Sequence, residues 1–151
     1  MKTFALISLL GAAASTLATT VSYDTGYDDA TRSLTVVSCS DGSNGLMTKH
    51  PTWKTQGDIP HFPNIGGSDT IPGWNSDQCG QCYSVTYKGK LIYIQAIDHA
   101  ASGLNISKKA MNQLTGNQAE QLGRVDATIA KVDVGKCGNR PVGRRSVEFM
   151  A

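Results

Sequence analysis

A small, mostly β domain, built as a barrel or a sandwich, is the fold class that the sequence predicts. Residues 83–87 alternate tyrosine and valine with serine and threonine, which is the period-2 pattern of a half-buried strand. Residues 91–97 are apolar on both faces except for Gln95, and such a strand belongs inside a closed or two-layered sheet. The turn at residues 88–90 joins the two strands as a hairpin, because Gly89 tolerates a positive φ.

The two ends of the 151-residue chain differ from that domain. Residues 1–18 combine a basic start with an apolar run and a small-residue stretch, which predicts a secretory signal peptide cleaved near Ala18 or Thr20. The apolar run is too short to span a bilayer, so no membrane span is expected. Residues 140–151 have no periodicity and predict a disordered tail. A single domain is therefore expected over residues 19–139.

The charges and histidines argue against two classes of function. The formal net charge is +2, but the basic excess lies in the two ends, and residues 21–139 are close to neutral. A nucleic-acid-binding surface would need Lys and Arg clustered on one face, so no nucleic-acid partner is expected. His50, His61 and His99 do not have the spacing of a metal motif, so we expect neither a metal nor another cofactor.

Four cysteines behind a signal peptide imply two disulfides formed in an oxidising compartment, and three pairings are possible. A Cys79–Cys82 bond would resemble a redox motif and would leave Cys39 to pair with Cys137. If each member of the Cys79–Cys82 pair instead bonds a distant cysteine, two long loops close and the unfolded chain loses more entropy. We therefore expect the bridges Cys39–Cys79 and Cys82–Cys137.

The segments before the hairpin predict an extended start, one strand and one short helix. Residues 21–24 open the domain as a short extended piece. The β-branched segment at residues 34–37 predicts a strand. A short helix is expected to start at Leu46 and to stop before Pro51, since proline cannot continue it.

Residues 53–74 are interrupted throughout by proline and glycine and predict a long loop. Trp53 fits equally well as an anchor in the core and as a surface on which a sugar stacks. Four other apolar residues are expected to fold the loop down onto the domain, namely Phe62, Ile65, Ile71 and Trp74.

The chain after the hairpin predicts two helices and a last strand. Ser107 has the position of an N-cap, and the helix that it starts ends at Gly116. A second helical turn is expected over residues 119–122. Residues 125–134 predict a strand, and a break in its alternation near Ala130 indicates a bulge.

Asp98 is the strongest candidate for chemistry. The apolar strand of the hairpin stops there, and a small-residue loop, residues 99–105, follows. The carboxylate either caps that loop or points into a cleft. Glycoside hydrolysis needs two carboxyl groups, and by position the partner of Asp98 would be Asp24 or Asp77.

Asn105 begins an N-glycosylation sequon, which continues as Ile106-Ser107. A glycan on this side chain would obstruct any ligand that the same side chain contacts. Glycosylation and ligand binding are therefore alternative expectations for Asn105.

Seven short segments, found in order together with the four cysteines, resemble the cerato-platanins, a family of small secreted fungal proteins. The resemblance extends from residue 21 to about residue 139. One departure lies in the loop after Asp98, where the family commonly has a glycine and this chain has His99-Ala100. The segments are Val21-Ser22-Tyr23-Asp24, Cys39-Ser40-Asp41-Gly42, Gly45-Leu46-Met47, Phe62-Pro63-Asn64-Ile65-Gly66-Gly67, Gly73-Trp74-Asn75-Ser76, Cys79-Gly80-Gln81-Cys82 and Gly123-Arg124-Val125-Asp126.

The resemblance implies a six-stranded double-psi β-barrel, related to the first domain of expansins, with the disulfide pairing given above. It implies a protein of the fungal cell wall and medium that binds chitin or N-acetylglucosamine oligomers without catalysis and acts as a phytotoxic elicitor of plant defence. Its partners would be those oligomers and the plant host surface, with the chain a monomer that is able to self-assemble.

The resemblance also implies which residues contact the sugar. Asp98 and Asn105 match residues of the family's shallow groove, and Tyr23 and Asp24 match the segment that flanks it. The alternative function is a weak expansin-like or hydrolytic enzyme that uses Asp98. A third hypothesis, a structural coat of the wall, would require self-assembly without sugar binding.

Overall fold

The computed structural model describes residues 18–138. Nearly all of the predicted signal segment and the whole of the predicted tail, residues 140–151, lie outside the described residues. Ala18 is the first described residue and pairs with Thr128 in the sheet. No helix within residues 18–138 has the length and apolar character needed to cross a bilayer.

Six strands close into a barrel, which confirms the fold class expected from the sequence. The strands are β1 (Ala18–Tyr23), β2 (Ile65–Ser68), β3 (Cys82–Tyr87), β4 (Lys90–His99), β5 (Leu104–Ile106) and β6 (Arg124–Val132). In the order β1-β5-β2-β4-β3-β6 they form a ring in which the pairs β1–β5 and β2–β4 are parallel and the other four are antiparallel.

The predicted hairpin is the pair β3–β4, which runs without interruption from Cys82 opposite Gln95 to Tyr87 opposite Lys90. Lys88 and Gly89 connect the strands with φ angles of 44° and 78°. Two consecutive positive φ angles are the geometry of the two-residue turns that match the twist of a hairpin. This part of the fold is therefore set by the local sequence.

The core fills the barrel and continues under the longest helix. The apolar side chains that the strands turn inward include Val21, Ile65, Val85, Ile94, Leu104 and Val125, all of them buried. Ala110, Met111 and Leu114 add the buried face of the helix. The inward side chains of the strands and the buried face of this helix thus form one core.

The three predicted helices are confirmed as α1 (Leu46–Lys49), α2 (Lys108–Thr115) and α3 (Ala119–Leu122). Ser107 caps α2, because its hydroxyl accepts a hydrogen bond from the Ala110 N–H at 3.0 Å. Gly116 ends the same helix with a φ of 68°. The caps are local features, which is why the sequence predicts them.

The strand predicted at residues 34–37 is wrong. Leu34–Val36 form a 3₁₀ turn instead, and the Ser33 hydroxyl caps it by accepting from the Thr35 N–H at 3.2 Å. The turn places Leu34 in the core and leaves Val36 exposed. A side chain that bonds the nearby backbone offers an alternative to sheet pairing, and here it overrides the β-branched composition.

Two strands, β2 and β5, lie where loops were predicted, in residues 53–74 and 99–105. They have four and three residues, which is too short for a period to be recognised. The glycines of β2 also suggested a loop, but they are needed for close packing. A Cβ atom on Gly66 would lie 2.3 Å from the carbonyl oxygen of Asn105.

The bulge predicted near Ala130 is also wrong. The pairing of β6 with β3 runs continuously from Thr128 to Val132, and the strand ends there. The register shift lies instead between Gly66 and Gly67, where β2 pairs with β4. The alternation of apolar and polar residues breaks where Ile129 and Ala130 are both half-buried, without any change in the pairing of the strand.

Both disulfides have the expected pairing. Cys39–Cys79 spans 40 residues and Cys82–Cys137 spans 55. In the chain-entropy description each bridge stabilises the fold by about 4 kcal/mol. The Cys39 N–H also donates to the Ile97 carbonyl at 3.2 Å, so the first bridge is held beside the end of β4 that carries Asp98.

The two tryptophans have opposite surroundings. Trp53 is only 8% exposed and stacks on His50 with ring centroids 3.7 Å apart, so of its two predicted roles the structure shows the buried anchor. Trp74 is 63% exposed, so the prediction that it folds the loop down is wrong. The loop is held by Ile65 and Ile71, which are fully buried.

Candidate functional site

The predicted site residues Asp98 and Asn105 lie on either side of Gly67 in one row across the barrel. Ser22 on β1 lies opposite Asn105 on β5, Asn105 lies opposite Gly67 on β2, and Gly67 lies opposite Asp98 on β4. Neighbouring strands are about 4.8 Å apart, so the backbones at Asp98 and Asn105 are separated by roughly 10 Å.

Gly67 is buried between these two residues, and other protein atoms lie close to it. A Cβ atom at this position would lie 2.7 Å from the His99 carbonyl oxygen and 3.2 Å from the Tyr27 hydroxyl. Because the first of these atoms is backbone, no larger residue fits without moving the strands. Gly67 is itself buried beneath these atoms, and the row has the Asn105 amide on one side and the Asp98 carboxylate on the other.

Asp98 caps its own loop and joins three segments of the chain. Its Oδ1 atom accepts from the N–H groups of Ser38 and His99, both at 2.9 Å, and its Oδ2 accepts from the Tyr27 hydroxyl at 3.0 Å. A carboxylate has about four acceptor sites, so the protein itself occupies most of them. The Asp98 side chain is consequently held in one orientation.

Tyr27 is a member of the site that the sequence analysis did not find. It is buried, and burial followed by the nearby Asp98 carboxylate raises the pKa of Tyr27 well above its ordinary value. The Arg32 guanidinium carbon lies 5.5 Å from the centre of its ring, within cation–π distance. Because Tyr27 and Asp98 are 71 positions apart in the sequence, no local pattern points to their contact.

Asn105 is less constrained than Asp98. It is half-buried, and its Oδ1 accepts from the Ser22 hydroxyl at 3.1 Å. Within residues 18–138 its Nδ2 group has no protein hydrogen-bond partner. The amide is thus oriented by one bond and still has donors that a ligand is able to use.

Tyr23 and Asp24, the two residues predicted to flank the site, have different surroundings. Tyr23 shares the inward face of β1 with Val21 and packs, half-buried, against the core. Asp24 is exposed and accepts from the Gly26 N–H at 2.7 Å, which caps the turn that contains Tyr27. Asp24 therefore caps the turn whose Tyr27 reaches Asp98, while its own N–H donates to the Ile106 carbonyl at 2.8 Å, and Tyr23 is turned away from Asn105.

The candidates for hydrolysis and metal binding gain no further support from the geometry. A general acid has to donate a proton, whereas Asp98 accepts hydrogen bonds at both oxygens. Asp77 is exposed and accepts from the neighbouring Gln78 side chain at 3.1 Å. Within the described part of the chain, no three His, Cys, Asp or Glu side chains are grouped to hold a metal ion.

A cavity of about 420 Å³ lies next to the row and is lined by residues that neighbour the row on β2 and β5. Ser68 and Leu104, which follow Gly67 and precede Asn105, contribute to its wall together with Tyr83. None of the four predicted sugar contacts lines this cavity. The cavity is therefore separate from the row of predicted sugar contacts.

The sequence profile of the cerato-platanin family matches residues 19–139. This chain belongs to the cerato-platanin family. A heat-stable 19 kDa antigen of Coccidioides immitis is 47% identical over 144 residues, covering 89% of this chain and 97% of the antigen. An allergen of Aspergillus fumigatus is 51% identical over 119 residues, covering 79% of this chain and 76% of the allergen.

Solved structures of cerato-platanins have the same fold. Cerato-platanin 1 of M. perniciosa superposes with a TM-score of 0.75 at 48% identity, over 79% of this chain and 98% of its own. The solution structure of the fungal elicitor cerato-platanin gives a TM-score of 0.69 at 40% identity, over 78% of this chain and 95% of its own. The family and barrel predicted from the sequence are thus confirmed.

Proposed function

We propose that this cerato-platanin is a secreted fungal protein that binds chitin or N-acetylglucosamine oligomers without cleaving them and acts as an elicitor of plant defence. The observation that carries the proposal is the row Asn105–Gly67–Asp98. It places an amide with unused donors two strands away from a fixed carboxylate, with the buried Gly67 between them. Sugar hydroxyls and acetamides bind through such hydrogen bonds.

The shape of the row predicts a modest affinity. A shallow polar surface buries little area of an oligosaccharide, and each sugar hydroxyl that binds must displace ordered water. Asn105 supplies donors that are free in the unbound protein, whereas most acceptor sites of Asp98 are already used. Asn105 is therefore expected to contribute more to binding than Asp98.

The elicitor role is supported by the family and by its fungal members. A solved member at 40% identity is described as a fungal elicitor, and two other relatives are an antigen and an allergen. Proteins recognised by another organism in this way are exposed to it, which agrees with a secretory leader over residues 1–18. Leaf infiltration with the purified protein, followed by measurement of the oxidative burst, tests this part separately from sugar binding.

A titration of residues 19–139 with chitin hexamer, followed by backbone amide NMR, tests the binding site. The amides of Asn105, Gly67 and Asp98 should shift and saturate in the wild-type protein. Asn105→Ala should lower the affinity by roughly tenfold, which corresponds to about 1.4 kcal/mol. Gln113→Ala is the matched control, because it removes an exposed side-chain amide from α2 outside the row.

Reducing ends measured in the same samples distinguish binding from hydrolysis. No new ends are expected. Ends that accumulate with the wild-type protein and disappear with Asp98→Asn would show a glycoside hydrolase and overturn the non-catalytic proposal. Unchanged amide signals at every hexamer concentration would overturn the sugar-binding proposal itself.

Processing of the chain is part of the same proposal. We expect removal of the leader near Ala18 or Thr20. The intact mass of the protein recovered from culture medium gives the mature terminus and shows whether Asn105 carries a glycan. A fully glycosylated Asn105 would contradict its role as a sugar contact.

A further inference from the structure

The Trp74 indole is a large apolar surface that the fold leaves open to solvent. It is 63% exposed, although most apolar residues of its size are buried in the core. A ring with both faces covered would lose most of its accessible area, so at least one face of Trp74 is open. The described residues provide no apolar side chain that closes it.

This indole is held in place by its polar edge. Its Nε1–H donates to the Asp41 carboxylate at 2.7 Å. Gly42 packs against the same ring, because a Cβ atom on this glycine would lie 2.9 Å from Trp74 Cζ2. The edge of this exposed ring is therefore fixed by a charge-assisted hydrogen bond.

The backbone around the ring is fixed as well. Asn75, the next residue, has a positive φ of 61° and is clamped by Asn44, whose N–H donates to its Oδ1 and whose side chain donates to its carbonyl, both at 2.9 Å. The Cys39–Cys79 bridge closes the segment a few residues further on. The ring is therefore presented in one orientation before any ligand arrives, which lowers the entropic cost of binding.

Two connections through the chain link the ring to the Asp98 end of the row. Asp41 is three residues beyond Ser38, whose N–H donates to Asp98, and three residues span at most about 11 Å. On the other side, the His99 ring donates from Nδ1 to the Ile71 carbonyl at 2.6 Å, three residues before Trp74. Trp74 and Asp98 are thus tied to each other by two short connections.

We infer that Trp74 is an aromatic stacking platform for one pyranose ring of a β-linked oligosaccharide, and that it extends the row beyond Asp98. A pyranose with equatorial hydroxyls has an apolar face of C–H groups that packs on an indole, while its hydroxyls point sideways to polar groups. Asp41 supplies an acceptor at the edge of the ring. The inference rests on the proposed function, since it adds a subsite to the same sugar-binding surface.

The dependence of binding affinity on the length of the oligosaccharide distinguishes this subsite from the row. Trp74→Ala should weaken chitin hexamer binding roughly tenfold, which is the order of an aromatic stacking contact. A chitin dimer is too short to contact both the row and Trp74, so it should bind the variant and the wild type with equal affinity. Trp74→Phe keeps a ring and should restore most of the affinity. Leu91→Ala is the control, because it removes another exposed apolar side chain at the far end of β4.

The NMR signals of the two indole N–H groups show where the sugar lies. The Trp74 signal should shift with the hexamer, whereas that of the buried Trp53 should not. If the amides of Asp98 and Asn105 shift but Trp74 does not, and Trp74→Ala binds the hexamer like the wild type, the platform is refuted while the proposed function stands. If no signal responds to any oligomer, the proposed function fails and the platform with it.

Discussion

Asp98 and Asn105 lie on either side of the same glycine, but the protein uses them differently. Three protein donors already occupy the Asp98 carboxylate, whereas the Asn105 amide makes one hydrogen bond to a hydroxyl. The first side chain therefore holds segments of the fold together, and the second is available to a ligand. Two polar residues in one candidate site need not have the same role.

The largest expected effect is that of Asp98→Ala on stability. The change leaves the Tyr27 hydroxyl and the Ser38 N–H without their acceptor, and each unpaired donor costs about 1–3 kcal/mol. We expect a loss of about 3 kcal/mol in the free energy of unfolding, measured by urea denaturation. Asp98→Asn keeps an acceptor for the N–H groups and should lose only about 1 kcal/mol. Equal stability of Asp98→Ala and the wild type would show that Asp98 is not an anchor.

Tyr27→Phe should have an intermediate effect with a distinctive pH dependence. It removes one hydrogen bond to Asp98 and should cost about 1 kcal/mol at neutral pH. The pKa of Tyr27 is raised in the folded protein, and an unfolded tyrosine titrates at about pH 10. The contribution of the Tyr27 hydroxyl to the free energy of unfolding is therefore complete below that pH.

Above that pH the unfolded chain loses a proton that the folded protein retains, so the contribution of Tyr27 falls. Wild-type stability should therefore decrease more steeply than that of Tyr27→Phe at alkaline pH. Urea denaturation of both proteins between pH 8 and about 11 measures the difference. Parallel curves would contradict the buried Tyr27–Asp98 contact.

The smallest expected effect on stability is that of Asn105→Ala. The residue is half-buried and its one hydrogen bond joins two side chains, so the loss should be within about 0.5 kcal/mol. Ser22→Ala removes the same bond from the other side and should match it. A loss above about 2 kcal/mol for Asn105→Ala would place Asn105 with Asp98 among the structural residues.

The sequence predicted those parts of the site that have a local signal. Asp98 stands where an apolar strand ends, and Asn105 was placed by the resemblance to the family. Tyr27 was missed because its partner is 71 residues away. Gly67 was assigned to a loop because its strand has only four residues. Trp74 was expected to pack inward. The Asp41 carboxylate that binds its Nε1–H is 33 positions away in the sequence, so no local pattern predicts the exposed orientation of the ring.

By itself, the sequence determined the β3–β4 hairpin, the three helices, the two bridges and the family. Each of these depends on a short period, a cap, a turn residue or a cysteine, and such features act within a few residues or through covalent bonds. Tertiary structure alone decided the strands β2 and β5 and the hydrogen bonds of Asp98. These depend on which backbone groups remain unpaired when the barrel closes, and that is settled between segments far apart in the chain.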